Sequence, residues 1–289
     1  MRLGTCLPRD ESAIVNGEFS IDKALEAISK EGIKGCLYNF VTDESLWEKT
    51  SISFSKSLKN AGITLLEYNP SFFIQPLEHE GCKPFANSIV KALSISESIG
   101  CLNATVCTGG YNGVYSHPRN KTQESWELLK ETCVLVAEEA ARRNLRTRLL
   151  IEPVYTSVIW SPEILAKFID EIDSPNIQGH MDIANCLNFD MIYDHGGFIK
   201  ESFGILGSRI HSSHIKDVSP LSSSYFPGLE EKQTGEGVMD IRTYIDCISR
   251  MPAGFPAIIE HLHYMSDIRR SYTRIKAIAD EMGISVWDE

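Results

Sequence analysis

The sequence is poor in positive charge: 28 Lys and Arg stand against 39 Asp and Glu, a net charge of −11. An acidic surface repels phosphate backbones and anionic lipid, which argues against nucleic acid or membrane partners. No apolar run approaches the roughly 20 residues that span a bilayer, and MRLGTCLPRDES at the N-terminus has no apolar signal-peptide core, so a cytoplasmic location is expected. The eight cysteines form no CxxC pair. Most (Cys36, Cys101, Cys107, Cys133, Cys247) fall in apolar periodic stretches and are expected to be reduced and mostly buried. There is no linker rich in Pro, Gly or Ser and no internal repeat, and no GxGxxG follows an early strand, which counts against a dinucleotide-binding sheet.

What the chain does have is rhythm. Short apolar runs alternate with helical periodicity from one end to the other. Strands are expected at Arg2–Cys6, Ile33–Asn39, ITLLEYNP (stopped by Pro70), LNATVCTGG, TRLLIEP, NIQGHMDIAN, RIHSSHIKD and PAIIEHL. Between them, Ser20 caps a helix with apolar Ile21, Ala24, Leu25 and Ile28. Further helices are expected near 43–61 and 84–99, after Thr122, after Ser161-Pro162-Glu163, within Phe189–Leu206, near Asp240–Arg250 and after Ser266. The polar segment from Val218 to Gly237, with Pro220 and Pro227, reads as a functional loop. Eight alternations in 289 residues predict parallel pairing and one (β/α)8 TIM barrel, residues 1–289 forming a single catalytic domain.

In such a barrel the active site lies where strands end and βα loops begin. Four strands end in chemistry: Glu152 in LLIEP, Asp182 in IQGHMD, His214 in RIHSSHIKD and Glu260 in AIIEH, spaced 30, 32 and 46 residues apart. Three carboxylates and one imidazole converging there suit one divalent cation. Hard oxygen ligands favour Mn²⁺, with Mg²⁺ or Co²⁺ close behind and Zn²⁺ possible. Strand alternation puts His180 on the same inward face as Asp182, and Lys216 on that of His214, while His211 points the other way. Trp160, Tyr111, His117 and Arg119 lie on βα loops that can line a substrate. Glu236 is expected to serve its turn, with a hydrogen bond to a histidine or a backbone amide as its functional option.

The motifs IEP (Glu152), HMDIAN (His180, Asp182, Asn185), HSSHIKD (His214, Lys216, Asp217), GEG (235–237) and IIEH (Glu260) occur in an order that resembles the xylose isomerase-like TIM-barrel family of sugar isomerases and epimerases. The family also includes inosose dehydratases and the endonuclease IV branch. The resemblance implies that Glu152, Asp182, His214 and Glu260 are the metal ligands, with Glu152 and Glu260 also moving protons. Ketose 3-epimerases carry a histidine where this chain has Asn185, and an arginine after the strand-seven histidine where the nearby cation is Lys216. The expected activity is therefore a metal-dependent sugar or cyclitol isomerase or epimerase working through an enediolate, with His180, Asn185, Lys216 and Trp160 at the substrate. Dehydration of a keto-inositol or keto sugar acid is the alternative. An abasic-site nuclease is a further one, which the acidic charge disfavours. A non-enzymatic ligand-binding barrel is the reading from another class. A dimer or tetramer is compatible with the fold.

Overall fold

The computed structural model describes residues 1–39, 43–69, 82–223 and 228–287. The expected strand stop at Pro70, and Pro227 of the expected loop, lie outside them. Eight strands form one all-parallel sheet: β1 (Arg2–Thr5), β2 (Gly35–Asn39), β3 (Thr64–Asn69), β4 (Asn103–Cys107), β5 (Arg148–Glu152), β6 (Ile177–Asp182), β7 (Ile210–Ile215) and β8 (Pro256–Ile259). Their order in the sheet is β3-β2-β1-β8-β7-β6-β5-β4, the order of a barrel opened between β3 and β4. That seam is bridged by side-chain amides: Thr105 N donates to Asn69 Oδ1 at 3.2 Å, and Asn103 Nδ2 reaches the Leu66 carbonyl at 3.5 Å. Unpaired backbone groups inside a barrel are costly, and the two asparagines supply partners where the ladder lapses.

Each strand is followed by a helix: α1 (Ile21–Lys30), α2 (Trp47–Ala61), α3 (Cys82–Ser98), α4 (Gln123–Arg142), α5 (Pro162–Ile172), α6 (His195–Leu206), α7 (Ile241–Ser249) and α8 (Met265–Glu281). The chain is a (β/α)8 barrel. In α5 the Ser161 hydroxyl accepts from Ile164 N, Pro162 opens the first turn, and Leu165, Ala166, Phe168 and Ile169 form the buried stripe. Each of the larger apolar side chains contributes about 1.5–3 kcal/mol by leaving water. Inside the barrel, Leu37, Leu66 and Ile258 make a small separate core beneath the strand ends. Strands β1 and β2 approach closely because Gly4 and Gly35 have no side chain; a Cβ on Gly4 would stand 2.6 Å from Leu66 Cδ1 and 2.9 Å from the Gly35 carbonyl.

Several boundaries differ from expectation for local reasons. Helix α8 starts at Met265, so Ser266 lies within its first turn. The cap comes from far away in sequence, because Asp10 Oδ2 accepts from Met265 N at 2.7 Å. Helix α6 occupies the later part of the expected stretch, from His195 to Leu206, and its two glycines sit in the first turn, where Asp194 Oδ1 accepts from Gly197 N. The segment after β7 is more ordered than the expected loop. Asp217–Pro220 and Leu229–Lys232 pair as an antiparallel hairpin.

Candidate metal centre

The strand-end residues are brought together at the C-terminal end of the barrel. His214 is the hub. Its Nδ1 lies 3.1 Å from Glu260 Oε2 and 3.9 Å from both Glu152 Oε1 and Asp182 Oδ2. Donor atoms of Glu152, Asp182 and His214 fall within 4.8 Å of one another, all three residues being buried. Glu260 adjoins this trio through His214 and Lys216. The Lys216 ammonium, 3% exposed, sits 2.7 Å from Glu260 Oε2 and 2.9 Å from Asp182 Oδ2, so it bridges two acids of the cluster and does not pair with its neighbour Asp217.

Asn185 Nδ2 donates to Glu152 Oε1 at 2.6 Å, and Cys107 Sγ donates to Glu152 Oε2 at 3.3 Å. These fix the orientation of that carboxylate. Asn185 is placed in turn by the short helical turn Ile183–Cys186, where Asp182 Oδ1 accepts from the Asn185 amide at 3.2 Å. Cys107, one of the cysteines expected to be reduced and mostly buried, thus touches the site. All eight are free thiols.

Behind His214 stands a residue that the sequence reading passed over. Glu67, at the inward end of β3, is wholly buried. Its Oε2 lies 3.1 Å from His214 Nε2, and its Oε1 lies 3.2 Å from His180 Nδ1. The signal was an acid within the apolar run ITLLEYNP: a carboxylate in a buried strand needs a partner. His180 is also wholly buried, 4.0 Å from the His214 ring centroid, and its Nδ1 meets the Ser212 hydroxyl at 2.7 Å. It supports the cluster from inside the barrel. Trp160 lies on the loop after β5, with Lys121 Nζ 4.9 Å from its ring centroid and 4.2 Å from that of Tyr155. Arg119 stacks on Tyr111 at 4.0 Å, and His117 lies 5.1 Å from the same ring.

Asp217 organises the loop above the centre. Its carboxylate accepts from the backbone amides of Val218, Gly235, Gly237 and Met239 at 2.9–3.0 Å. The GEG motif is read through its glycines: a Cβ on Gly237 would collide with this carboxylate and the Val218 carbonyl, whereas Glu236 is exposed. His261, the last residue of IIEH, holds a left-handed φ of 61° next to Glu260. It bonds Glu231 of the hairpin at 2.9 Å and lies 3.4 Å from Glu260. A non-glycine in that region marks strain maintained by its surroundings.

The electrostatics follow from burial and crowding. Burial opposes charge on His214, yet Glu260 and Glu67 outweigh it and hold its pKa well above the ordinary imidazole range. Burial likewise opposes charge on Glu152, but the bond and charge of His214, with His180 and Lys216 behind, bring it down to about 2. Asp182 goes the other way: desolvation raises it, with the neighbouring Glu152 and Glu260 adding to the rise against Lys216. Burial pushes the Cys6 thiol, which faces Glu260, up to about 12.

The donor set fits a divalent cation. Four buried or nearly buried carboxylates (Glu67, Glu152, Asp182, Glu260) face one ammonium and two imidazoles, an excess of negative charge. His214 Nδ1 and Asp182 Oδ2 are buried without a well-aligned hydrogen bond within the described residues, although Lys216 Nζ is near the latter. Oxygen ligands with one imidazole suit Mn²⁺, Mg²⁺ or Co²⁺.

Fold and cluster together define a class: (β/α)8 barrels that gather carboxylates and a histidine at the C-terminal ends of their strands. Residues 21–283 match the family model described as xylose isomerase-like TIM barrel, and the chain belongs to that family. No curated protein sequence matches the chain. Among solved structures, a D-tagatose 3-epimerase-like protein is 16% identical with a TM-score of 0.74, covering 98% of each chain. A xylose isomerase-like TIM barrel protein from Mycobacterium smegmatis in complex with magnesium is 12% identical with a TM-score of 0.71, covering 97% of each chain. D-psicose 3-epimerase in the presence of D-fructose is 14% identical with a TM-score of 0.68, covering 97% of this chain and 99% of that one. At these identities the likeness is one of fold. No described helix is long and apolar enough to cross a membrane.

Proposed function

We propose that the protein is a divalent-metal-dependent isomerase or epimerase of a sugar or cyclitol. The observation that carries this reading is the convergence of Glu152 and Glu260, from two different strands, on His214 Nδ1 at 3.9 and 3.1 Å. Glu152, Asp182, His214 and Glu260 would hold the ion, Mn²⁺ being favoured and Mg²⁺, Co²⁺ or Zn²⁺ acceptable. When bound, such an ion supplies Lewis acidity that makes a C–H beside a carbonyl easier to ionise. The chain's own residues do the rest. Glu152, kept ionised and aimed by Asn185 and Cys107, accepts the proton from that carbon, leaving the substrate as an enediolate. Glu260, held ionised at rest by His214 and Lys216, takes up a proton from solvent and delivers it to the carbon, while Glu152 releases its own to solvent; Lys216 stabilises negative charge on a substrate oxygen. Asn185 and Trp160 are assigned to substrate contact, and His180 to support of His214. Similarity to a protein named as an epimerase in the presence of D-fructose, to an epimerase-like protein, and to a xylose isomerase-like barrel protein in complex with magnesium is consistent with a small sugar substrate and a divalent ion.

A second reading, dehydration of a keto-inositol or keto sugar acid, is favoured by Lys216: a buried ammonium 2.7 Å from Glu260 can protonate a departing hydroxyl. Conversion of a panel of ketoses and inososes with Mn²⁺, followed by mass spectrometry, separates the two. An isomeric product supports the first, and loss of one water supports the second. In either case Glu152→Gln abolishes turnover while fold and most metal binding persist; full activity in that variant overturns the assignment.

A further inference from the structure

At the opposite end of the barrel, where the strands begin, lies a cavity of about 430 Å³. Its lining includes Arg2, Asn103, Arg148 and His211 and contains no acidic residue. Arg2 opens β1 and Arg148 opens β5. By strand alternation Arg148 shares the inward face with Glu152, four residues on, and Arg2 shares that of Gly4. In a chain with 39 acids to 28 bases, most arginines have found carboxylates, including Arg119, Arg142, Arg209 and Arg269. Arg2 and Arg148 have none among the described residues. The Arg2 guanidinium is seated 5.9 Å from the Trp287 ring centroid. Asn103 adds a buried Oδ1 with no hydrogen-bond partner.

We infer that this cavity is a binding site for a small hydroxylated oxyanion, its phosphate or carboxylate group held between Arg2 and Arg148 and a hydroxyl donated to Asn103 Oδ1. Guanidinium forks match the geometry of such oxyanions, and a carboxylate-free cavity concentrates their positive field. His211, half-buried at the rim, reports that field: burial, with the charge of Arg148 added, lowers its pKa to about 4. The cavity lies at the end of the barrel away from Glu152, Asp182 and His214, so the site is independent of the proposed reaction.

The test is calorimetric titration of the full chain with inorganic phosphate, and separately with gluconate, at constant ionic strength set by NaCl. Saturable binding is expected for one or both anions, and which of them binds identifies the phosphate or the carboxylate as the recognised group. Arg148→Gln and Arg2→Gln should each weaken binding at least about tenfold, the loss expected for a charge-assisted pair. Lys216→Gln, at the other end, should leave it unchanged. Absence of saturable binding of both anions overturns the inference. So does equal affinity in wild type and Arg2→Gln, a substitution at an exposed position that the fold tolerates even if Arg148→Gln does not fold. A loss confined to Lys216→Gln would move the anion to the catalytic end and equally overturn it.

Discussion

Glu67 Oε2 lies 3.1 Å from His214 Nε2, while the other nitrogen of the same ring faces Glu152, Asp182 and Glu260. A carboxylate behind a histidine fixes its tautomer and raises its basicity toward a metal. Replacing Glu67 by Gln should therefore weaken Co²⁺ binding about 10–100-fold, the usual effect of removing such a partner. Titration followed by the visible absorption of Co²⁺ measures this, with circular dichroism confirming the fold. Unchanged affinity would show that Glu67 serves packing alone.

The raised pKa of His214 has a consequence for pH. In the metal-free protein Glu260 and Glu67 outweigh burial and favour the ring that holds its second proton. A metal ion needs the neutral ring, so binding must release that proton. Affinity should rise with pH through the neutral range, about tenfold per unit while His214 remains protonated, and calorimetry in buffers of different ionisation enthalpy should count about one proton released. Affinity independent of pH between about 6 and 8 would contradict the assignment.

Lys216 connects Asp182 and Glu260 from an almost fully buried position. Lys216→Met leaves two buried carboxylates facing each other, a change that typically costs about 3–5 kcal/mol. Denaturant unfolding of the metal-free variant should show a loss of that order. Added Mn²⁺ should then restore more stability than it adds to the wild type, since a cation replaces a cation. Equal Mn²⁺ stabilisation of both proteins would separate Lys216 from the metal centre.

Asp217 receives four backbone amides, two of them from the GEG turn. Hydrogen bonds to a charged acceptor contribute about 1.5–3 kcal/mol each when not replaced by water. Asp217→Ala should lower stability by at least about 3 kcal/mol in urea unfolding, and Gly237→Ala should be destabilising through collision with the same carboxylate. A change within about 0.5 kcal/mol for Asp217→Ala would mean that the loop is anchored elsewhere.

The barrel was legible because parallel strands buried on both faces and amphipathic helices leave distinct periodicities, and Ser161-Pro162-Glu163 marks a helix start in three letters. Glu152, Asp182, His214 and Glu260 were legible as acids and an imidazole at the ends of such strands. Glu67 was not singled out, because one acid in an apolar run carries no periodic signature; its meaning depends on His180 and His214, more than a hundred residues away. The same holds for Asp10, which caps α8 from the first βα loop. Contacts of this kind depend on how the barrel closes, which local spacing does not encode.

The central claim, proton transfer by Glu152 and Glu260 at the metal centre, is tested most directly by solvent isotope wash-in. Mn²⁺-loaded protein incubated with its ketose in D₂O should place one deuterium on the carbon beside the carbonyl. In Glu152→Gln and Glu260→Gln, the rate should fall by about 10²-fold or more, the scale of a lost general base or acid. Deuterium entering at the wild-type rate in either variant, or a product formed without any deuterium, would contradict the account.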